Sequence, residues 1–220
     1  MSSWRAAIAT AALMIGIPAV ASGQIPGFVE DFTTADHIFN VSGSQLTWEP
    51  SGGVGGPADG WLRVEQPFQF HLGVASDNPA VTGDLLAAGV TGFSFWLSDI
   101  GNDDPLEIHI AFGQALGNMW QYTVGWDPPS NGWQQYTVGF NEANWTRVRG
   151  SGTFLDALQS SERLLFRHDL APYISNPDPI IGDFGLDRVE VLPEPATILL
   201  SLLGCAALGR RSVRRIRKTG

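Results

Sequence analysis

The chain has 220 residues, with 22 acidic against 13 basic side chains and a formal net charge of −9. Seven basic residues lie near the two ends, which leaves six arginines against all 22 acids between residues 24 and 195, a formal charge of −16. A surface of that sign repels nucleic acid and anionic lipid and suits cations or neutral glycans.

The elements begin with a leader. Residues 1–23 combine Arg5, an apolar run from Ala6 to Val20 and small residues at Ala19-Val20-Ala21 or Ala21-Ser22-Gly23, the pattern of a secretory signal helix. The only cysteine, Cys205, lies near the other end, so the stretch from 24 to 192 must fold without a disulfide even at an oxidising destination.

From 24 to 192 the sequence reads as one domain of short strands. With 26 glycines and 14 prolines in the chain, few windows are left for long helices. "FVEDF", "QLTW", "GWLRVEQ" and "FQFHLGV" supply the first strands. In "GFSFWLS", Phe93, Phe95 and Leu97 alternate with Ser94, Trp96 and Ser98. In "LEIHIAF", Leu106, Ile108, Ile110 and Phe112 share one face, and Glu107 and His109 the other. "QYTVGW" (Gln121 to Trp126) and "QYTVGF" (Gln135 to Phe140), separated by "DPPSNG", predict a β-hairpin with both aromatic faces buried, Trp120, Tyr122, Val124 and Trp126 on one strand and Tyr136, Val138 and Phe140 on the other. Thr153 to Ser160 predicts one short helix, with Thr153 and Asp156 spaced for a cap. "RLLFRHDL" and "GDFGLDRVEVL" read as the last strands, with Val189 and Val191 inward. Nine to eleven strands and one helix predict an all-β, two-sheet antiparallel sandwich.

The closing stretch has a different character. Pro193, Glu194 and Pro195 precede an apolar helix at 196–209 and a basic tail at 210–218 that holds Arg210, Arg211, Arg214 and Arg215. As a helix those 14 apolar-rich positions span roughly 21 Å, short of the ~30 Å bilayer core unless arginine stems snorkel, and the basic cluster holds that end in the cytoplasm. The three parts in this order resemble the PEP-CTERM sorting signal of Gram-negative bacteria. The resemblance implies a membrane-embedded exosortase as processing partner and a protein exported across the inner membrane. Such a protein is anchored there transiently by its C-terminal transmembrane helix, then released to the cell surface, outer membrane or extracellular space.

The domain itself is similar to jelly-roll carbohydrate-binding modules and laminin-type domains, through "EDF", "LTWEPSGGVGGPADGWLRV", "TGFSFWLSD" and "FGLDRVEV". That resemblance implies a calcium ion between the first strand and the last, with Glu30, Asp31 and Asp187 as candidate ligands. "DIGNDD" (Asp99, Asn102, Asp103, Asp104) is a second oxygen-rich candidate. For a glycan, Trp96 and Trp133 fall opposite their hydrophobic strand neighbours and so present rings for stacking, with Gln121 and Gln135 as polar companions.

Catalytic constellations are not found. The sequence holds no G-x-S-x-G elbow, no H-E-x-x-H helix and no phosphate loop, and its single lysine is Lys218. A glycosidase needs two carboxylates across a cleft, and "LEIHIAF" offers one. The reading is therefore an exported, exosortase-processed surface or matrix protein with a non-catalytic, glycan-binding sandwich. The alternatives are a structural matrix protein that binds no sugar and an extracellular polysaccharide hydrolase.

Overall fold

The structure, a computed structural model, describes residues 26–101 and 106–194. The expected signal segment, Asn102, Asp103 and Asp104, and everything from Pro195 onward, including the expected transmembrane helix and Arg210, Arg211, Arg214 and Arg215, lie outside the described residues.

Among the described residues eleven strands form two antiparallel sheets. Sheet A runs β2 (Gln45–Glu49), β3 (Trp61–His71), β11 (Pro179–Pro193), β5 (Val90–Asp99), β8 (Gln134–Gly139), with β1 (Val29–Glu30) added on β11. Sheet B runs β4 (Gly73–Ser76), β10 (Arg163–His168), β6 (Ile108–Gly113), β7 (Met119–Tyr122), β9 (Trp145–Arg149). This is the two-sheet sandwich with one short helix that the strand pattern predicts.

Period-two alternation explains most of the packing. Phe93, Phe95 and Leu97 of β5 face inward and are fully buried, as are Ile108, Ile110 and Phe112 of β6. Val189 and Val191 are likewise fully buried in β11. Across the interface, Phe166 of β10 meets Phe95 edge-on at 4.9 Å and Phe39 at 5.8 Å, tying the sheets together. The helix α1 (Phe154–Gln159) starts at Thr153, whose hydroxyl accepts from the Asp156 N–H at 3.1 Å while Asp156 Oδ2 accepts from the Thr153 N–H at 2.9 Å.

Two strands change partners sharply. Only Leu72 separates β3 in sheet A from β4 in sheet B, and its side chain is fully buried at that corner. In β11, pairing with β3 ends at Leu186, and pairing with β1 begins at Val189. Between them Arg188 takes φ +47° in a bulge opposite β5.

The predicted hairpin is corrected. The first "QYTVG" segment is β7 in sheet B and the second is β8 in sheet A, so the intervening residues cross the sandwich. Both aromatic faces still point into one core. Trp126 stacks on Tyr122 at 5.4 Å and tilts against Tyr136 at 5.1 Å, because two strands that face each other from opposite sheets bury the same alternating set. Val124 leaves the pattern and is 60% exposed, since β7 ends at Tyr122.

Candidate functional site

Two outer faces bear the candidate residues. On sheet A, Trp96 lies between its cross-strand partners Asp187 and Gln135. The adjacent row brings Gly185 beside Ser98 and Arg63, and a methyl group on Gly185 would lie 2.7 Å from the Trp133 ring and 3.2 Å from that of Trp61. Trp61 and Trp133 meet edge-on at 5.5 Å over this gap. Their indole N–H groups donate to Ser51 O and Gly52 O, each at 2.9 Å, which draws the glycine-rich loop 51–60 across the sheet. Trp96 and Trp133 are accordingly half-buried, not open. Gln135 is exposed and donates to Ser94 Oγ at 2.8 Å.

Gln121 is not with them. It sits on the outer face of sheet B, fully buried, accepting from Arg167 Nε at 2.6 Å and donating to Asp169 Oδ2 at 3.0 Å. Lying in the other sheet, it is no companion of Trp96 and Trp133, which corrects that expectation.

Of the three candidate metal ligands, Glu30 uses both oxygens on backbone N–H groups, Oε1 with Phe32 at 3.2 Å and Oε2 with Ile38 at 2.9 Å. Asp31 is exposed and accepts from Thr33 through Oδ1. Asp187 differs. It is 1% exposed, its Oδ2 accepts from the Val54 N–H at 2.8 Å, and its Oδ1 is buried without a hydrogen bond. Burial first, then the nearby Asp59 and Asp31, push its carboxyl up to about 6 against the Val54 and Arg188 N–H groups.

A methyl group on Gly53 would lie 2.7 Å from Asp187 Oδ2, 2.8 Å from Gly60 O and 2.9 Å from Asp59 Oδ2. Three oxygens thus converge on the space left by a missing side chain. Among the described residues no group of three or more His, Cys, Asp or Glu is placed to hold a metal. The set here is two carboxylates and a carbonyl, which suits a hard, oxygen-seeking cation and no soft one. Asp59 is not among the ligands expected from the sequence.

The outer face of sheet B is divided. One half lies under the segment 169–178. Arg167, 4% exposed, bonds Asp169 Oδ2 at 2.6 Å and the Ile174 carbonyl at 2.8 Å. Tyr173 packs edge-on to His109 at 4.7 Å and donates to Glu107 Oε1 at 3.1 Å, the same oxygen that lies 3.0 Å from His109 Nε2. Glu107 and His109 are thus on the outward face, as alternation predicts, yet His109 is fully buried because the segment covers it. Burial pushes the Asp169 carboxyl up and the Arg167 guanidinium down, each opposed by the other's charge.

The other half is open. There a groove of about 280 Å³ runs between the β3–β4 corner and the Ser175–Pro177 edge of the covering segment. Its floor is Ala75, Leu165 and Met119, and Arg149 and Arg163 stand at its sides. Phe70, 47% exposed, stacks on His71 at 4.6 Å and offers its ring at the rim. The groove is not legible in the sequence. Its parts come from six separated stretches, and only the cross-strand register brings them together.

No protein-family model matches the sequence, and no curated protein matches it. Solved structures do match in fold. The family 11 carbohydrate-binding module from Clostridium thermocellum, solved with a β-1,3-1,4-mixed-linked tetrasaccharide, aligns at a TM-score of 0.50 and 15% identity, over 77% of this chain and 98% of that one. An exo-β-agarase aligns at a TM-score of 0.52 and 13% identity, over 80% of this chain and 25% of that one. These likenesses establish the sandwich as the jelly-roll fold of such modules.

Proposed function

We propose that this sandwich is a non-catalytic glycan-binding module that holds polysaccharide in the groove on sheet B. The observation that carries the reading is the groove itself, an open trough with an apolar floor, flanking arginines and the exposed Phe70 ring supported on His71. Sugar rings pack on such a floor and stack on such a ring, while polar groups at the sides bond hydroxyls. Fold likeness to a module solved with a tetrasaccharide supports the reading. Affinity electrophoresis of the full-length protein through a panel of polysaccharides tests it. At least one is expected to retard the protein, with retardation cut about tenfold by Phe70→Ala and little changed by Trp96→Ala, as fits the loss of one well-packed aromatic contact. Retardation by none of the panel sinks the reading. Loss on Trp96→Ala alone moves the site to sheet A, beside Gln135.

A calcium ion at Asp187, Asp59 and the Gly60 carbonyl belongs to the same proposal. It would pin the glycine-rich loop to β11 in a domain without a disulfide, and Glu30 and Asp31 would shape the strand beside it. Export and exosortase processing are supported by the order of motifs at the chain's close. There β11 runs through Pro193, and the Glu194 N–H donates to the Gly89 carbonyl at 2.9 Å, so a cut near the motif would fall at the margin of the sheet. A mature protein whose intact mass retains the basic tail would count against processing.

A further inference from the structure

The charge of the groove runs against the charge of the molecule. Of six arginines between residues 24 and 195, Arg149, Arg163 and Arg167 line it, and among the described residues no Asp or Glu does. Register explains the arrangement. Arg163 pairs with Gly113, Gly113 with Met119, and Met119 with Arg149, so one cross-strand row spans β10, β6, β7 and β9. At ~4.8 Å per strand, the two arginine Cα atoms are roughly 14 Å apart. Gly113 contributes no side chain between them, and the next row, Ala75–Leu165–Ala111, is small or apolar.

The three cations differ in how far they are neutralised. Arg167 is balanced by buried Asp169. Arg163 forms a two-pronged pair with Asp77, at 2.7 and 2.8 Å, on the exposed side. Arg149 bonds only neutral oxygens, Ser175 Oγ and O and the Ala115 carbonyl. Among the described residues no carboxylate pairs with it, so its charge reaches the groove.

We propose that the groove takes an anionic polysaccharide, with carboxylate or sulfate groups seated between Arg149 and Arg163. The proposal rests on the reading of the groove as the glycan site. A guanidinium matches the planar fork of a carboxylate and the oxygens of a sulfate, whereas a neutral sugar gains little from a full charge. The overall negative charge does not prevent this. At 0.15 M salt the Debye length is ~8 Å, so distant acids are screened, and the near ones, Asp77 and Asp169, are already paired with Arg163 and Arg167.

The test is calorimetric titration of the full-length protein at 0.15 M NaCl with three probes of matched length: polygalacturonate, a sulfated galactan and a neutral mixed-linked β-glucan. At least one anionic probe is expected to bind about tenfold tighter than the neutral one, with the margin shrinking as salt is raised to 1 M. A margin for polygalacturonate alone assigns carboxylate, and one for the galactan alone assigns sulfate. Arg149→Gln should remove most of the margin, weakening the anionic probe about tenfold and the neutral glucan far less. Because Arg149 also holds the 169–178 segment, Ser175→Ala serves as control: it removes the Oγ half of that tie and leaves the bond to the Ser175 carbonyl, keeps the charge and should keep the margin. Arg163→Gln, outside the segment, should take part of the margin. Equal or tighter neutral binding, or a margin lost equally in Ser175→Ala, overturns the proposal and leaves glycan binding standing. Binding of no probe overturns both.

Discussion

At Asp187 a carboxylate is buried at a bulge with one oxygen unbonded, 1% exposed, in a pocket that already brings Asp59 close. An anion in that position is costly without a counter-charge. A cation that binds the folded form alone stabilises it by mass action, ~2.7 kcal/mol at a hundredfold excess over its Kd. Calcium is therefore expected to raise the melting temperature of the chelator-treated protein by several degrees. Asp187→Asn should abolish that response, and in chelator it should be at least as stable as the parent, since it removes the uncompensated charge. An unchanged calcium response in Asp187→Asn would show that no cation binds there. The sequence pointed to Asp187 through its place in the last strand, but it could not show that Glu30 is occupied by the Phe32 and Ile38 N–H groups. Nor could it show that Asp59 is folded back by the glycines around it. Alternation placed Trp96 outward correctly. It could not anticipate a loop drawn across Trp133 and Trp61 by two indole N–H groups, because that contact joins residues 81 and 10 positions apart.

The segment 169–178 is where an element's fit depends on protonation. It leaves β10 at His168, which is 1% exposed and accepts the Glu107 N–H on Nδ1 at 3.1 Å. Burial above all lowers its affinity for a proton, and that N–H needs a bare lone pair; Asp178, Asp169 and the Glu107 carboxylate pull the other way. The folded state thus holds His168 neutral, with a value below the ~6.5 of an unfolded chain. A depressed histidine contributes stability that is complete above ~6.5 and is lost as pH falls through the folded value. Urea unfolding of the parent and of His168→Asn should show the parent losing stability relative to the variant between pH 7.5 and 5. A constant difference across that range would exclude His168 as the cause. At this scale the short helix and the strands were legible because caps and alternation are local. The two "QYTVG" copies were not, since a strand's own sequence fixes which face is buried and leaves open which sheet it joins. A face covered by a later segment is equally silent, which is why His109 reads as solvent-facing and is buried.

Over the whole molecule, what unites the two sheets is a run of rings. Phe39, Phe95 and Phe166 are all fully buried, and Phe166 touches the other two, so one side chain of sheet B locks against both β5 and the Phe39 loop. With no cysteine between residues 24 and 192, this packing carries the cohesion that disulfide-bonded domains draw in part from cross-links. Phe166→Ala removes the central ring and leaves a cavity that neighbours held by their own strands cannot close, a loss of about 3–5 kcal/mol. Phe68, 59% exposed, has no such role. Phe68→Ala should therefore change stability by less than about 0.5 kcal/mol. Guanidinium unfolding distinguishes the two. The midpoint should drop strongly for Phe166→Ala and stay in place for Phe68→Ala, with the slope conserved in both if the sheets unfold as one unit. A biphasic curve in Phe166→Ala would instead mean that each sheet keeps a stable core of its own and that the ring contact merely joins them.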